Sequence, residues 1–317
     1  MTARRAVAVV GEALVDIVHR VDGSVDEAPG GSPANVALTL GRLGQRPQLV
    51  TCLGDDRHGQ RIRTWLAESG VDVTSVPLAR TSTGTAVLDE SGAARYSFDL
   101  EWSVDAESAE PADVLHTGSI ATVLEPGASR IERLLGERRP TTTITLDLNI
   151  RPSLIADAAG TRDRIARLVR LADVVKASDE DVAWLHPGRS TDDVADAWLA
   201  EGATLALITG GAEGMTGYTT AGRVHRAAAR TTVVDTVGAG DTVTGAFIDA
   251  LIRLGLVGSG RRAALAGMPL ELLGRILERC VAAAAITVSR PGADPPRLAE
   301  LPAFELGVGT VSDPSGR

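Results

Sequence analysis

Apolar residues along this chain alternate between two patterns. Short aliphatic runs at 6–11, 47–53, 113–118, 142–148, 173–177 and 204–209 read as buried strands. Between them, apolar positions recur at the 3.6-residue helical period: Val36, Ala37, Leu40 and Leu43; then Ile62, Trp65 and Leu66. Further helices are predicted near 127–138, 161–172, 191–201 and 270–287. Strands alternating with helices predict a parallel sheet with helices on both faces. Two segments break the rhythm. Residues 21–29 are polar with a proline and read as a loop or edge hairpin. Residues 82–104 read as a β-hairpin carrying Tyr96, Phe98 and Trp102, three of the nine aromatic residues. A small β-element inserted into an α/β chain suggests a lid that excludes water on closing. Residues 215–234 are strand-rich and predict antiparallel additions at one sheet edge, with Val233 and Val234 as a strand end. The helix after that turn carries Val243, Ala246, Phe247, Ala250, Leu251 and Leu254. Residues 303–317, rich in Gly, Ser and Asp, predict a frayed tail.

Composition narrows the classes. The chain has 317 residues, 44% hydrophobic and only 3% aromatic, enough for one large α/β core. A net charge of −9 argues against a broad nucleic-acid or anionic-membrane surface. No apolar run approaches a membrane span and the N-terminus leads straight into a strand, so a cytoplasmic protein is expected. Cys52 and Cys280 lie far apart in apolar settings and read as buried thiols. Lys176 is the only lysine and stands in Val-Lys-Ala, which excludes a Walker A loop and the protein-kinase lysine. A nucleotide would have to be held by backbone amides, arginine or metal.

Gly238-Ala239-Gly240 should occupy the first turn of a helix, where free N–H groups and the dipole form an anion site. Asp241, inside that site, either caps the helix or takes a proton. Gly30 and Gly31 either let a ligand approach the backbone or make a tight turn, with Asn35 one turn on. Asp16, placed at or just past the end of the first strand, can accept hydrogen bonds from a ligand or serve as a turn acid. Asp55 and Asp56 read as helix-start acids.

The Asp235-to-Asp241 segment (Asp-Thr-Val-Gly-Ala-Gly-Asp) and the segment from Gly30 to Gly44 lie about 200 residues apart. Together they resemble the two signatures of the ribokinase-like (PfkB) carbohydrate kinases, a likeness running from about residue 6 to 300. The resemblance implies an α/β, ribokinase-like three-layer α/β/α sandwich with a mostly parallel central sheet and a small β-sheet lid. It implies one kinase domain over 1–302, with lid segments at about 12–29 and 82–104. It implies Asp241 as catalytic base and Gly238, Ala239 and Gly240 as the anion hole. Asp16, Gly30, Gly31, Asn35, Phe98, Asn149 and Arg151 would line the sugar pocket. Lys176, Ser178, Thr209, Gly211, Gly214 and Ala283, with Gly238 and Gly240, would face the nucleotide.

The implied cofactors are ATP and Mg²⁺, with K⁺ an option: Asp181 would reach Mg²⁺ through water, and Asp235 and Val237 would hold the monovalent cation. Ser178-Asp179-Glu180-Asp181 departs from the family's Asn-x-x-Glu, and a capped helix start is the alternative reading. Asp147-Leu148-Asn149-Ile150-Arg151 resembles fructokinase-like and 2-keto-3-deoxygluconate kinase members, whereas Leu14 counts against ribose. Asp99 and Glu101 in the lid would repel a carboxylated sugar, which favours a neutral ketohexose, fructose first. The other acceptors (2-keto-3-deoxygluconate, ribose, a nucleoside) and a non-catalytic sugar or nucleotide sensor are the alternatives. The expected partners are the sugar, ATP and a second copy of the chain paired through the lid.

Overall fold

The computed structural model describes residues 5–88, 94–258 and 260–303. The chain opens with β1 (Arg5–Val10), β2 (Leu14–His19), β3 (Val25–Gly30), α1 (Ser32–Arg42), β4 (Gln48–Gly54) and α2 (Arg57–Ala67). It continues through β5 (Asp72–Leu78), β6 (Thr83–Leu88), β7 (Ala94–Asp99), β8 (Ala112–Gly118), α3 (Gly127–Arg138) and β9 (Thr143–Asp147). Then come α4 (Ala158–Leu171), β10 (Val174–Ser178), α5 (Asp179–Leu185), α6 (Thr191–Ala200) and β11 (Leu205–Thr209). The last elements are β12 (Met215–Thr219), β13 (Gly222–Arg226), α7 (Ala239–Arg253), α8 (Arg262–Ala266) and α9 (Leu270–Val288).

Nine strands form one sheet in the order β13-β12-β11-β10-β9-β8-β1-β4-β5. Every neighbouring pair from β11 through to β5 is parallel, and β12 and β13 add antiparallel at the β11 edge. Parallel strands are covered on both faces, which is why they read as unbroken apolar runs. On one face α3 to α6 bury Ile131, Leu135, Ile165, Leu168, Val182 and Trp198. On the other, α1 and α2 contribute Leu38, Leu40, Ile62 and Leu66, and α7 to α9 contribute Phe247, Leu251, Leu265 and Leu277. The result is the three-layer sandwich. Asp56 caps α2 by accepting the Gly59 N–H at 2.8 Å, and Cys52 and Cys280 are buried free thiols. Among the described residues no helix is long and apolar enough to cross a membrane.

A second sheet, in the order β3-β2-β6-β7, stands apart from the first. Its two hairpins, β2–β3 and β6–β7, are joined by the parallel β2–β6 pair. It is fastened to α2 by Glu27, which pairs with Arg57 and Arg61 and whose carbonyl accepts from Arg61 Nη2 at 2.7 Å. Residues 89–93, within the hairpin expected from the sequence, and the expected tail from 304 lie outside the described residues.

Three expectations are corrected. Asp16 is not at the end of the first strand: β1 stops at Val10 and Asp16 sits inside β2 of the small sheet. The chain turns at Gly11, where a side chain would overlap Pro33. Trp102 is not a lid residue. It is 2% exposed, packs on Gly127 and donates Nε1–H to the Ala121 carbonyl at 3.1 Å, because the chain has already returned to the large body. Val233 and Val234 form no strand. They are 62% and 56% exposed, beyond the last ladder, and the Val234 N–H bonds the Val288 carbonyl at the end of α9 (2.7 Å).

Candidate active site

The centre of the site is the first turn of α7. Gly238 precedes it in the left-handed conformation (φ 75°), where glycine carries no penalty. Its missing side chain lets Ala293 close in, since a Cβ would stand 2.6 Å from the Ala293 methyl. Helix geometry leaves the N–H groups of this first turn without intrahelical acceptors. Asp241 lies in that turn and is 8% exposed. Its carboxylate is held from α1: Ser32 Oγ donates to Oδ1 at 2.6 Å and Asn35 Nδ2 to Oδ2 at 2.7 Å. Ser32, Asn35 and Thr39 share one face of α1 by their spacing. That face approaches α7 closely at Gly245, where a Cβ would meet the Thr39 Cβ at 2.6 Å. Asn35 Oδ1 is buried with no hydrogen-bond partner, an acceptor that a hydroxyl in the pocket would satisfy.

Beneath the turn lies a buried charge pair. Lys176 Nζ is 3.1 Å from Asp147 Oδ2, which also accepts from Thr244 Oγ1 on α7 at 2.8 Å. Nζ would stand 2.9 Å from a Cβ at Gly240, so the glycine lets the ammonium sit against the turn. Burial works to neutralise Lys176, but Asp147, Asp181 and Asp241 outweigh it and hold the group as a cation. Burial pushes Asp147 up to about 6, against the pull of Lys176 and with the help of Asp241. His116, whose Nδ1 lies 3.0 Å from Thr145 Oγ1, is lowered to about 3 by burial and by Lys176, and is neutral.

Over the turn stands the small sheet. Asp16, Gly84 and Phe98 lie in one row across β2, β6 and β7. A side chain at Gly30 would overlap the Asp16 carboxylate, and one at Gly84 would stand 3.2 Å from both Asp16 Oδ1 and the Phe98 ring. Burial raises Asp16 to about 6; Arg151 opposes the rise and Asp241 adds to it. Gly31 has φ 101°, and a Cβ there would press on the Glu12 carbonyl at 2.6 Å. Asn149, also at positive φ (38°), points Nδ2 at Ser119 Oγ (3.5 Å), and Arg151 is exposed, its Nη1 donating to the Ile150 carbonyl at 3.2 Å.

The chain has a counterpart among known proteins: residues 4–299 match the family described as pfkB family carbohydrate kinase. The chain belongs to that family. Among curated relatives, a fructokinase of Rhizobium leguminosarum bv. trifolii is 37% identical over 255 residues, covering 76% of this chain and 78% of its own length. A fructokinase of Klebsiella pneumoniae is 33% identical, covering 78% of this chain and 85% of its own. Among solved structures, the ATP-bound fructokinase of Xylella fastidiosa superposes with a TM-score of 0.81 at 25% identity, over 95% of this chain and 96% of that one. An aminoimidazole riboside kinase of Salmonella enterica superposes with 0.74 at 25%, over 91% and 95%. This carbohydrate kinase is therefore a phosphotransferase acting on a sugar hydroxyl.

The kinase's remaining expected residues lie on several separate elements. Thr209 ends β11, and Gly211 (φ 53°) and Gly214 (φ 99°) shape the turn after it. Ser178 caps α5 in a capping box with Asp181, the alternative reading of this stretch. Both Asp181 oxygens accept main-chain N–H groups, from Ile150 and Ser178, each at 2.7 Å. Ala283 is fully buried where α9 packs beside α7. Asp235 ties two loops together by accepting from Val237 N–H (3.0 Å) and Gly292 N–H (2.9 Å), and Val237 is exposed. Asp99 and Glu101 are exposed, and Asp99 pairs with Arg80 at 2.9 Å. The acids that dominate the pocket are Asp16, Glu12 and Asp241 instead. Sequence reasoning passed over Ser32, Glu12 and Thr244, and noted Asp147 in its motif without a role. Ser32 could have been found three residues before Asn35 on the same helical face.

Proposed function

We propose that this carbohydrate kinase transfers the γ-phosphoryl group of ATP to a hydroxyl of a neutral ketohexose, fructose first. The observation that carries the reading is the Asp241 carboxylate, buried at the N-terminus of α7 and held by two donors from α1. A carboxylate so placed accepts the proton of an acceptor hydroxyl as that oxygen attacks. The N–H groups of Gly238 and Gly240, with Lys176 behind them, favour the negative charge on the transferred group, whereas that of Ala239 donates to the Thr236 carbonyl at 3.3 Å and would have to exchange that partner for a phosphoryl oxygen. Asp16, Asn35 and Asn149 would orient the sugar, with the Phe98 ring alongside. Arg151 would reach the pocket from its rim. Buried acids around the pocket disfavour a carboxylated acceptor.

The nucleotide would lie along Thr209–Gly214, a glycine-rich turn with little side-chain bulk. Magnesium neutralises the polyphosphate when bound. Among the described residues no three His, Cys, Asp or Glu side chains converge on a metal position. Mg²⁺ ordinarily keeps several waters and binds with substrate phosphates, so Asp181 would act through water. Asp235 and the Val237 main chain would flank a monovalent cation. A second copy would pair through the small sheet, whose neighbourhood exposes Val21, Val25 and Val87; a strict monomer in light scattering removes that part.

The test is ADP release with ATP and Mg²⁺ over fructose, 2-keto-3-deoxygluconate, ribose and nucleosides, with Asp241→Asn alongside. Turnover on fructose that falls by about 10²–10⁴-fold in the variant is expected. Turnover on another acceptor alone overturns the sugar assignment, and an Asn variant with unchanged kcat overturns the base.

A further inference from the structure

Glu12 is a buried carboxyl that the mechanism above does not use. It is 5% exposed, in the turn between β1 and β2. Main chain and side chain serve different neighbours. The Glu12 carbonyl lies under Gly31, so close that any side chain at 31 would strike it. The carboxylate reaches the opposite way: Oε2 accepts the Ala121 N–H at 3.1 Å, and the Ser119 hydroxyl also bonds to it. Ser119 has φ 52°, an uncommon conformation for a serine, and Asn149 (φ 38°) directs its Nδ2 at the Ser119 Oγ. One residue thus joins the Gly30-Gly31 turn to the two strained residues on the far side of the pocket.

We propose that Glu12 is a positioning residue for the acceptor sugar, acting through Ser119 on Asn149. The direction of the hydrogen bonds carries the argument. An ionised Glu12 only accepts, so the Ser119 hydroxyl donates to it and its oxygen is left to accept from the Asn149 amide. The planar amide then turns its carbonyl oxygen away from Ser119, as a fixed acceptor. A neutral group at 12 donates to Ser119 instead, which frees the Ser119 proton to bond the Asn149 amide from its oxygen side and turn it over. Burial raises Glu12 to about 7, with Asp241, across the pocket, adding to the rise and the Ser119 and Ala121 bonds opposing it. The switch between the two patterns therefore falls near neutral pH.

This inference rests on the phosphoryl-transfer reading of the site. The test is steady-state kinetics from pH 5.5 to 8.5, with whichever panel sugar is turned over, on the unsubstituted chain, Glu12→Gln and Ser119→Gly. Glutamine keeps the size and the acceptor for Ala121; glycine tolerates the positive φ while deleting the hydroxyl. Both variants should raise the sugar KM about tenfold, the worth of one hydrogen bond to a charged group, with the ATP KM unchanged. In the unsubstituted chain kcat/KM for sugar should rise through an apparent pKa of about 7, and Glu12→Gln should move that limb down to the value of about 6 that Asp16 and Asp147 share. Equal loss in sugar and ATP KM, or a limb that stays near 7 in Glu12→Gln, overturns the inference while leaving the reading in place. No turnover by the unsubstituted chain on any acceptor overturns both.

Discussion

Raising the pH should destabilise this fold through Glu12, and replacing Glu12 by Gln should remove the effect. A carboxyl whose pKa is raised in the folded state holds its proton more tightly there than in the unfolded chain. Its contribution is therefore complete below the unfolded value of 4.5 and is lost as pH rises through about 7. A tenfold difference in proton affinity between the two states is worth about 1.4 kcal/mol. Of the roughly 3 kcal/mol at stake, about 1 kcal/mol is already lost by pH 5.5 and nearly all of it by pH 8, so roughly 2 kcal/mol disappears between them. Gln cannot ionise, and it keeps the acceptor for the Ala121 N–H. The stability of Glu12→Gln relative to the unsubstituted chain should thus improve by about 2 kcal/mol from pH 5.5 to pH 8, or roughly 3 °C in Tm. Thermal melts of both chains at the two pH values, without ligand, measure the difference of differences. A gap that stays constant, or a variant that loses ground at pH 8, would show that the Ser119 and Ala121 bonds outweigh burial and would refute the reasoning. The same substitution that raises sugar KM is then expected to stabilise the protein at alkaline pH.

Other outcomes follow from the contacts around α7. Ser32→Ala removes one of the two donors to Asp241 and should lower kcat about tenfold or more with little change in melting temperature, read by steady-state kinetics. Gly31→Ala forces a side chain onto the Glu12 carbonyl at φ 101° and should cost about 1–3 kcal/mol in chemical denaturation while raising the sugar KM; an unchanged midpoint would mean the turn relaxes freely. Lys176→Met strands Asp147 in the core and should cost about 3–5 kcal/mol, and adding Asp147→Asn should recover much of that stability without restoring kcat.

The layers were legible because each obeys one physical period. Parallel strands appear as apolar runs and helices as 3.6-residue stripes, so α3, α6 and α9 fall within a residue or so of their expected bounds. The errors came where burial is not periodic. Val233 and Val234 have the β-branched composition of a strand, but a strand needs a neighbour to bond, and the sheet has ended at β13. Trp102 follows the hairpin in sequence yet is buried in the large body, a choice made by Gly127 and the Ala121 carbonyl from elsewhere in the chain. In the site, the glycine turn and Asp241 were readable because they are contiguous. The partners that give them their chemistry are not: Ser32 comes from 209 positions away, and Asp147 meets Thr244 across 97.

The single lysine explains why the acids of this site can be so dense. Glu12, Asp16 and Asp147 gather around Asp241 at one helix end, and its charge raises the cost of ionising each of them. An ammonium among them is a compact charge that can sit directly behind a glycine turn, whereas a planar guanidinium needs room for its fork. Every other basic residue in the sequence is arginine. At Lys176 the space is set by Gly240, whose Cβ would crowd Nζ at 2.9 Å. Lys176→Arg keeps the charge but not the shape, so it should fail to rescue the Met variant. Rescue by Arg would mean that charge alone, and not its fit beneath the turn, is what position 176 supplies.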